Sequence, residues 1–518
     1  MYKVDNAIIM AAGLSSRFAP LSYDKPKGLI EVKGEVLIER QIKQLKEAGI
    51  NDITIVVGYL KEQFFYLKDK FGVDIIVNDE YNKRNNNSTL YKVKNKLKNT
   101  YICSSDNYFV KNVFKNKVKN SSYSAVYEYK KTNEYYMDID DNGKILNVTP
   151  GGENGWIMLG YAFFSEDFST KFVEILEKIY NKPGVDKMLW EDIYIKYIDE
   201  LPMYINKYEK NDILEFDNLE ELRSFDKSYI KNTKSTIIEN ICTVLNCEDK
   251  DVVNIKPINN GMTNLSFIFE VKSKKYVYRH PGLNTDEIIN RKNELFSQNI
   301  AKKLGLDDTF IYMSEKGWKI SRYIEGCTEL DYMNKQHIKK AMELIKTLHK
   351  ECIDCEFEFN ILDEAKKMLN SIKDLKNYDI HELTKKIYYL FDCTEKNNIK
   401  KRLCHIDCYN LNFLVKGNEL MLIDWEFSGK ADPAIDLGTF ICCSPYTYEE
   451  AIDVIKLYFG RDITKKEKFH FVAYIAICSY YWFIWALYKE SLGDNVGDYV
   501  ELYHKYVNLY YDIAMKIN

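Results

Sequence analysis

Four polar side chains between Cys404 and Asp436 have the types and spacing that phosphoryl transfer requires. The stretch reads CHIDCYNLNFLVKGNELMLIDWEFSGKADPAID. A short turn carries His405, Asp407 and Asn412 and runs into an apolar strand, a hairpin at 416–419 and a second apolar strand. That second strand ends in Asp424, followed by Trp425 and Glu426. Transfer from ATP needs a carboxylate to orient and deprotonate the acceptor hydroxyl, and oxygen ligands to hold magnesium on the phosphates. Asp407 suits the first role, and Asn412 and Asp424 the second. His405 is expected to hold the loop rather than act as a base. A hairpin with merely polar tips is the bland alternative, but each polar residue here sits beside an otherwise wholly apolar strand.

A second set lies near the other end of the chain. Residues 5–12, DNAIIMAA, read as a short buried strand that runs into Gly13-Leu14-Ser15-Ser16-Arg17 and then Lys25-Pro26-Lys27. A glycine-containing loop after a buried strand brings the backbone from Ala12 to Ser16 close to a polyphosphate, with Arg17 and Lys27 neutralising its charge. An amphipathic helix over 37–48, a strand over 52–59, a helix around 63–70 and a strand over 73–79 must position that loop. Such alternation predicts an α/β fold, a doubly wound parallel sheet with the loop at the carboxyl end of its first strand.

The pairing of AAGLSSRF with KPK resembles the nucleotidyltransferases that activate sugar phosphates and phosphocholine. The nearest likeness is to bacterial CTP:phosphocholine cytidylyltransferases, over roughly residues 4–226. The resemblance implies a Rossmann-like domain in which carboxylates hold magnesium on the triphosphate of CTP. The matching positions are Asp106, ending TYICSSDN, and Glu215 with Asp217 in ILEFDN. Asp106 also suits a plain turn. Ser15 stands where many sugar-nucleotide members carry glycine. The polar run 85–88, NNNS, either contacts the cytosine or the phosphocholine phosphate, or is simply a loop. Trp156 and Trp190, with Glu191 or Asp192, are candidates for the choline end, because aromatic faces beside a negative charge bind a quaternary ammonium. Both tryptophans also suit a core.

Residues 224–236 are polar without apolar period, which sets the expected boundary between a first domain at 1–228 and a second at 237–518. The second opens with a helix, then INNGMTN at 258–264 and alternating strands. This predicts a nucleotide-clamping hairpin with Gly261 in its turn and Asn264 after it. Arg279 on the following strand pairs with Glu294 on the next helix, either as the small-lobe arrangement of a kinase or as an ordinary surface pair. NGMTN, YRHPG, HxDxxxxN and IDWEFSG with DPAIDLG resemble bacterial choline kinases of the aminoglycoside-phosphotransferase-like superfamily, over roughly 237–518. The resemblance implies a bilobal, protein-kinase-like α+β domain, with Arg279 where many kinases carry lysine. Trp482 and Trp485 are three apart on one helix face and wall a choline cation, with Glu426 supplying charge, or else pack in the core.

The 518 residues suit two domains, and a net charge of −4 gives no reason to expect a nucleic-acid partner. Twelve cysteines form no metal framework, Cys352 and Cys355 being a lone C-x-x-C. No signal-peptide pattern opens the chain, so a cytoplasmic enzyme is expected. The apolar run 471–488 reaches the lower length of a membrane span but lies within the kinase-like half, where a buried helix is expected rather than membrane insertion. Joined, the two resemblances imply choline, ATP, phosphocholine and CTP as small-molecule partners, magnesium as cofactor and CDP-choline as product. The same two steps on ethanolamine or a sugar, or a non-catalytic sensor of choline or nucleotide, are the other readings.

Overall fold

Five consecutive apolar side chains after Asn6 make β1 (Asn6–Ala11) a strand that can exist only with both faces covered. In the computed structural model, which describes residues 1–258, 264–283, 285, 289–351, 353–372, 378–492 and 496–517, it lies between two parallel neighbours. The chain divides into two units, Met1–Pro257 with Phe269–Ser273, and Ile258–Ile268 with Lys274–Asn518.

In the first unit, β1 pairs with β2 (Ile53–Val57) on one side and with β4 (Thr100–Ser104) on the other; β3 (Asp74–Val77) lies beyond β2. Ala7 stands opposite both Ile53 and Tyr101, so β1 and β4 end together and deliver residues 12–17 and Asp106 to one edge. Helix α1 (Leu37–Glu47) buries Ile38, Ile42 and Leu45 with Ile9 and Ile55. This is the expected parallel winding. Beyond β4 the sheet turns antiparallel, through β5 (Ser122–Glu128), β6 (Thr132–Ile139), β7 (Ile145–Gly152) and the long β8 (Gly155–Phe164). β8 runs beside β4 and pairs with β5 and β6. Short connections such as 140–144 and 153–154 permit only antiparallel neighbours. Helix α2 (Trp190–Lys196) follows.

The polar stretch 224–236 is tied into the first unit. The Arg223 guanidinium donates to the carbonyls of Tyr229, Val252 and Asp249 at 3.3, 2.7 and 2.6 Å. Asp226 accepts from Lys33 N at 2.7 Å, and the Tyr229 hydroxyl donates to Glu31 O at 2.6 Å. Ser235, which caps α3 (Thr236–Leu245), donates from its hydroxyl to Asp24 Oδ2 at 3.0 Å. Absence of apolar period therefore does not mean absence of structure here, because main-chain hydrogen bonding replaces it.

In the second unit, β9 (Asn264–Val271) as far as Ile268, β10 (Lys274–Pro281), β12 (Lys319–Arg322) and β11 (Phe310–Met313) are successive neighbours. The expected turn over 259–263 lies outside the described residues. Helix α4 (Arg291–Lys303) begins at an Asn290 cap and carries Glu294 in its first turn. After α5 (Lys335–Lys350), β13 (Arg402–Cys404) enters the loop of Asp407. β14 (Phe413–Lys416) and β15 (Glu419–Leu422) then form the expected hairpin, and β16 (Gly429–Ala431) returns beside β13.

Helix α6 (Ala434–Cys442) packs on α7 (Lys465–Leu492). Among the described residues α7 alone is long and apolar enough to cross a membrane, yet 83% of its most apolar window is buried inside the protein, as a core helix must be. Gly438 lets the two helices meet. A Cβ there would lie 2.7 Å from Tyr474 O and 2.6 Å from Cys478 Sγ. Backbone cannot withdraw as a side chain can, so Gly438→Ala should lower the denaturation free energy of the second unit by roughly 1–3 kcal/mol, read by urea unfolding.

Candidate active sites

In the first unit Lys27 is buried, and its Nζ lies 2.8 Å from Asp106 Oδ2 and 3.4 Å from Glu215 Oε1. Burial disfavours the ammonium, but Asp106, Glu215 and Asp217 outweigh it and hold the Lys27 pKa above its ordinary value. The Asp106 charge, followed by burial, pushes Glu215 up to about 7. Arg17 Nη1 lies 3.3 Å from Asp217 Oδ1 at an open edge. The five charged candidates thus form two sets of ion pairs, and the Asp217 charge also acts on Lys27. Carboxylate oxygens converging on a buried ammonium form a donor set of oxygen alone, which fits a hard divalent cation.

Ala12, Gly13 and Ser15 line a cavity of about 200 Å³ together with Lys27, Asn86 and Asp106. Ser15 adopts φ 53° and ψ 49°, the left-handed region that glycine enters freely. Serine thus follows the same path, at a cost on the order of 1 kcal/mol. Leu14 and Ser16 flank it in the same loop. Tyr59 N donates to Ala12 O at 3.0 Å, pinning the loop to the end of β2.

The run NNNS docks on α2 and the turn before it. Asn86 Nδ2 donates to Glu191 Oε2 at 3.1 Å, and Asn86 Oδ1 accepts from Trp190 N at 2.7 Å. Tyr123 and Tyr135, which the sequence does not single out, donate to Glu191 at 3.4 Å and to Asp192 at 2.7 Å. Burial pushes Glu191 up to about 7. Trp190 has to be corrected. It is 1% exposed, stacked near Tyr123 and edge-on to Phe164, so it offers no face to a ligand. Trp156 is half-buried, with Lys207 Nζ 4.9 Å from its ring centre, so its face already serves a cation of this chain.

In the second unit Asn412 Nδ2 donates to Asp407 O and Oδ2, both at 2.9 Å. Burial, then the Asp424 charge, pushes Asp407 well above the usual carboxylate range. Ile406 and Asp424 take φ of 74° and 65°, strained values for branched and acidic residues. Asp436 holds the first of these turns. It accepts from Ile406 N at 2.6 Å and His405 N at 3.0 Å, and pairs with His349 Nε2 at 3.0 Å. His405 Nε2 donates to Ile423 O at 2.9 Å, so it joins the loop to the strand before Asp424, the holding role expected of it. His349 and the role of Asp436 escape sequence reading; DPAIDLG after the strand is a signal for Asp436, and no motif marks His349.

Arg279 pairs with Glu294 and lies 3.2 Å from Asp424 Oδ1 and 3.7 Å from Glu426 Oε2. Burial opposes its charge, and Glu294, Asp424 and Glu426 more than offset it. It is no surface pair, since Arg279 and Glu294 are both buried. Glu426 also requires correction. It accepts from Asn264 Nδ2 at 2.8 Å and lies 4.0 Å from Arg291, so it belongs to this ion cluster rather than beside the tryptophans. Glu294, Asp424 and Glu426 offer oxygens within 4.8 Å of one another, again a set that fits a hard cation. Trp482 Nε1 donates to Thr439 Oγ1 at 3.1 Å, and its ring meets Trp485 at 5.6 Å and 75°, a corner with Phe427 edge-on at 6.0 Å.

A phosphate loop and a cation–carboxylate cradle at one edge of a parallel sheet define a nucleotidyltransferase; an HxDxxxxN loop set against a strand-end aspartate and a buried Arg–Glu pair defines a kinase. Residues 7–118 match the family described as MobA-like NTP transferase domain, and residues 255–479 match Choline/ethanolamine kinase. The chain is 40% identical over 221 residues to the choline-phosphate cytidylyltransferase of Streptococcus pneumoniae, covering 43% of this chain and 96% of that protein. It is 36% identical over 229 residues to the 2-aminoethylphosphonate cytidylyltransferase of Lancefieldella rimae, covering 43% and 93%. It is 28% identical over 252 residues to protein LicA of Haemophilus influenzae, covering 46% and 94%. The chain belongs to the choline-phosphate cytidylyltransferase family through its N-terminal part, and residues 255–479 of the same polypeptide match Choline/ethanolamine kinase.

Asp436→Ala should leave two backbone N–H groups and His349 without their buried partner, at a cost of roughly 3–5 kcal/mol. Calorimetry of the full chain should show the second unit melting earlier with the first unchanged.

Proposed function

We propose that this chain makes CDP-choline from choline in two steps, phosphorylation by ATP in a domain at 237–518 and cytidylyl transfer from CTP in a domain at 1–228. The observation that carries the reading is that each unit sets one buried cation, Lys27 or Arg279, among carboxylates at strand ends and, for Glu294, at the start of α4. In the kinase step Asn412 holds one oxygen of Asp407, leaving the other to orient the choline hydroxyl and take its proton. Arg279 faces the phosphates, and the Trp482–Trp485 corner receives the ammonium. In the second step phosphocholine is its own nucleophile, already largely deprotonated at neutral pH, so no general base is needed. Lys27 and Arg17 neutralise the phosphates of CTP while residues 12–16 position them. Asp106, Glu215 and Asp217 in one site, and Asn412 and Asp424 in the other, would hold magnesium, which would supply further charge neutralisation on each triphosphate. Glu191 and Asp192, with Tyr123 and Tyr135, receive the choline end of phosphocholine. The burial of α7 supports a cytoplasmic enzyme.

Phosphorus NMR of the full chain with choline, ATP, CTP and magnesium should show phosphocholine, then CDP-choline and pyrophosphate. Asp407→Asn should slow the first step by about 10²–10⁴-fold, the range for removing a general base, and leave cytidylyl transfer to supplied phosphocholine intact. Lys27→Met should do the converse. Cytidylylation of 2-aminoethylphosphonate in place of phosphocholine would overturn the second step.

Glu191 gives a pH signature. Its carboxyl is neutral below about 7 and charged above, and a quaternary ammonium is drawn to the charged form. The KM for phosphocholine should therefore fall as pH rises from about 6 to 8, and Glu191→Gln should flatten that dependence. A KM unchanged across this range in the parent enzyme would count against Glu191.

A further inference from the structure

The second unit holds another cavity of about 200 Å³, built apart from Asp407, Asp424 and the tryptophan corner. Tyr474 and Asp432 lie at its floor, Phe359 and Phe391 line its walls, and Glu395 and Lys401 stand at its rim. Tyr474 is on α7, eight residues before Trp482, which is about 12 Å along the helix at 1.5 Å per residue.

Its polar groups are placed for an occupant. Tyr474 is 3% exposed, and its hydroxyl meets no hydrogen-bond partner among the described residues. The residue lines the cavity, so its oxygen is available to whatever enters. Asp432 accepts from Ala434 N and from His470 Nε2, both at 2.9 Å, which leaves each oxygen a further lone pair. His470 takes only one of those oxygens, and its Nδ1 lies 3.0 Å from Asn397 Nδ2. Glu395 adds a second negative charge, while Lys401 is drawn off to Glu358 at 3.5 Å. Carboxylate and phenol oxygens at the floor, aromatic walls and an acid at the rim suit one class of ligand.

We propose that this cavity binds a small primary ammonium ion, its N–H groups donated to Asp432 and Tyr474 and its carbon chain lying between Phe359 and Phe391. The site is separate from the acceptor site of the kinase step.

Equilibrium dialysis of the full chain against labelled ethylammonium tests this. The probe carries the charged head but no hydroxyl, so it is never phosphorylated, and its retention is read independently of choline turnover. One equivalent per chain should be retained. Tyr474→Phe, which keeps the ring, should weaken it about tenfold, the loss of one hydrogen bond to a charged group. Glu395→Lys, at an exposed position where folding is not at risk, should weaken it at least as much by reversing the rim charge. Both variants should keep the parent KM for the kinase acceptor. No retained equivalent, an isotherm that neither variant moves, or loss of the bound probe on Trp482→Ala would overturn the proposal.

Discussion

A cation buried among carboxylates is the constraint around which each unit is built. Lys27 and Arg279 are each 6% exposed, and neither is stable there without its acidic partners. The partners come from separate elements: Asp106 after β4 and Glu215 from a short strand near 213–215; Glu294 from α4 and Asp424 after β15. The strands must therefore end together, and helix α4 must start where it does, or the cation is stranded. Crowding shows in the acids themselves. Glu215 and Glu426 are both pushed up to about 7, the first by Asp106 and then burial, the second by burial and then Asp424. Such clusters are weak sources of stability and strong sites for phosphate chemistry, since a nucleotide with its metal exchanges one set of partners for another.

Local strain gathers at the same places. Ser15, Ile406 and Asp424 all sit in left-handed backbone conformations, and each has a tether beside it. Ala12 O is held by Tyr59 N, while Ile406 N is held by Asp436 and Ile423 O by His405. The arrangement costs conformational energy and returns fixed geometry for Asp407 and the phosphate loop. Gly438 serves the same end from a distance, because close packing of α6 on α7 sets both Asp436 and the Thr439 partner of Trp482.

Aromatic residues behave differently from the charged ones. Trp190 is a core residue, Trp156 is matched to Lys207, and the tyrosines at 123 and 135 meet the carboxylates of α2 instead. A tryptophan near an acid in sequence says little, since a large ring gains more from core packing than from one ligand contact. Forty-one tyrosines in the chain leave no single one conspicuous.

The sequence by itself marked the candidate residues: Asp407, Asn412, Asp424, Arg17 and Lys27 are legible because polar residues at strand ends interrupt otherwise apolar runs. It also determined the parallel half of the first sheet and the hairpin at 416–419, where period and turn residues agree. Only the tertiary structure decided which acids meet which cations, and so moved Glu426 from the choline wall to the Arg279 cluster. It alone showed that 224–236 is bound to the first unit through Arg223 and Asp226, and that Asp436 and His349 hold the loop before Asp407. The reason is physical. Periodicity records which face of an element is buried, whereas ion pairing and main-chain hydrogen bonds depend on elements brought together from distant parts of the chain.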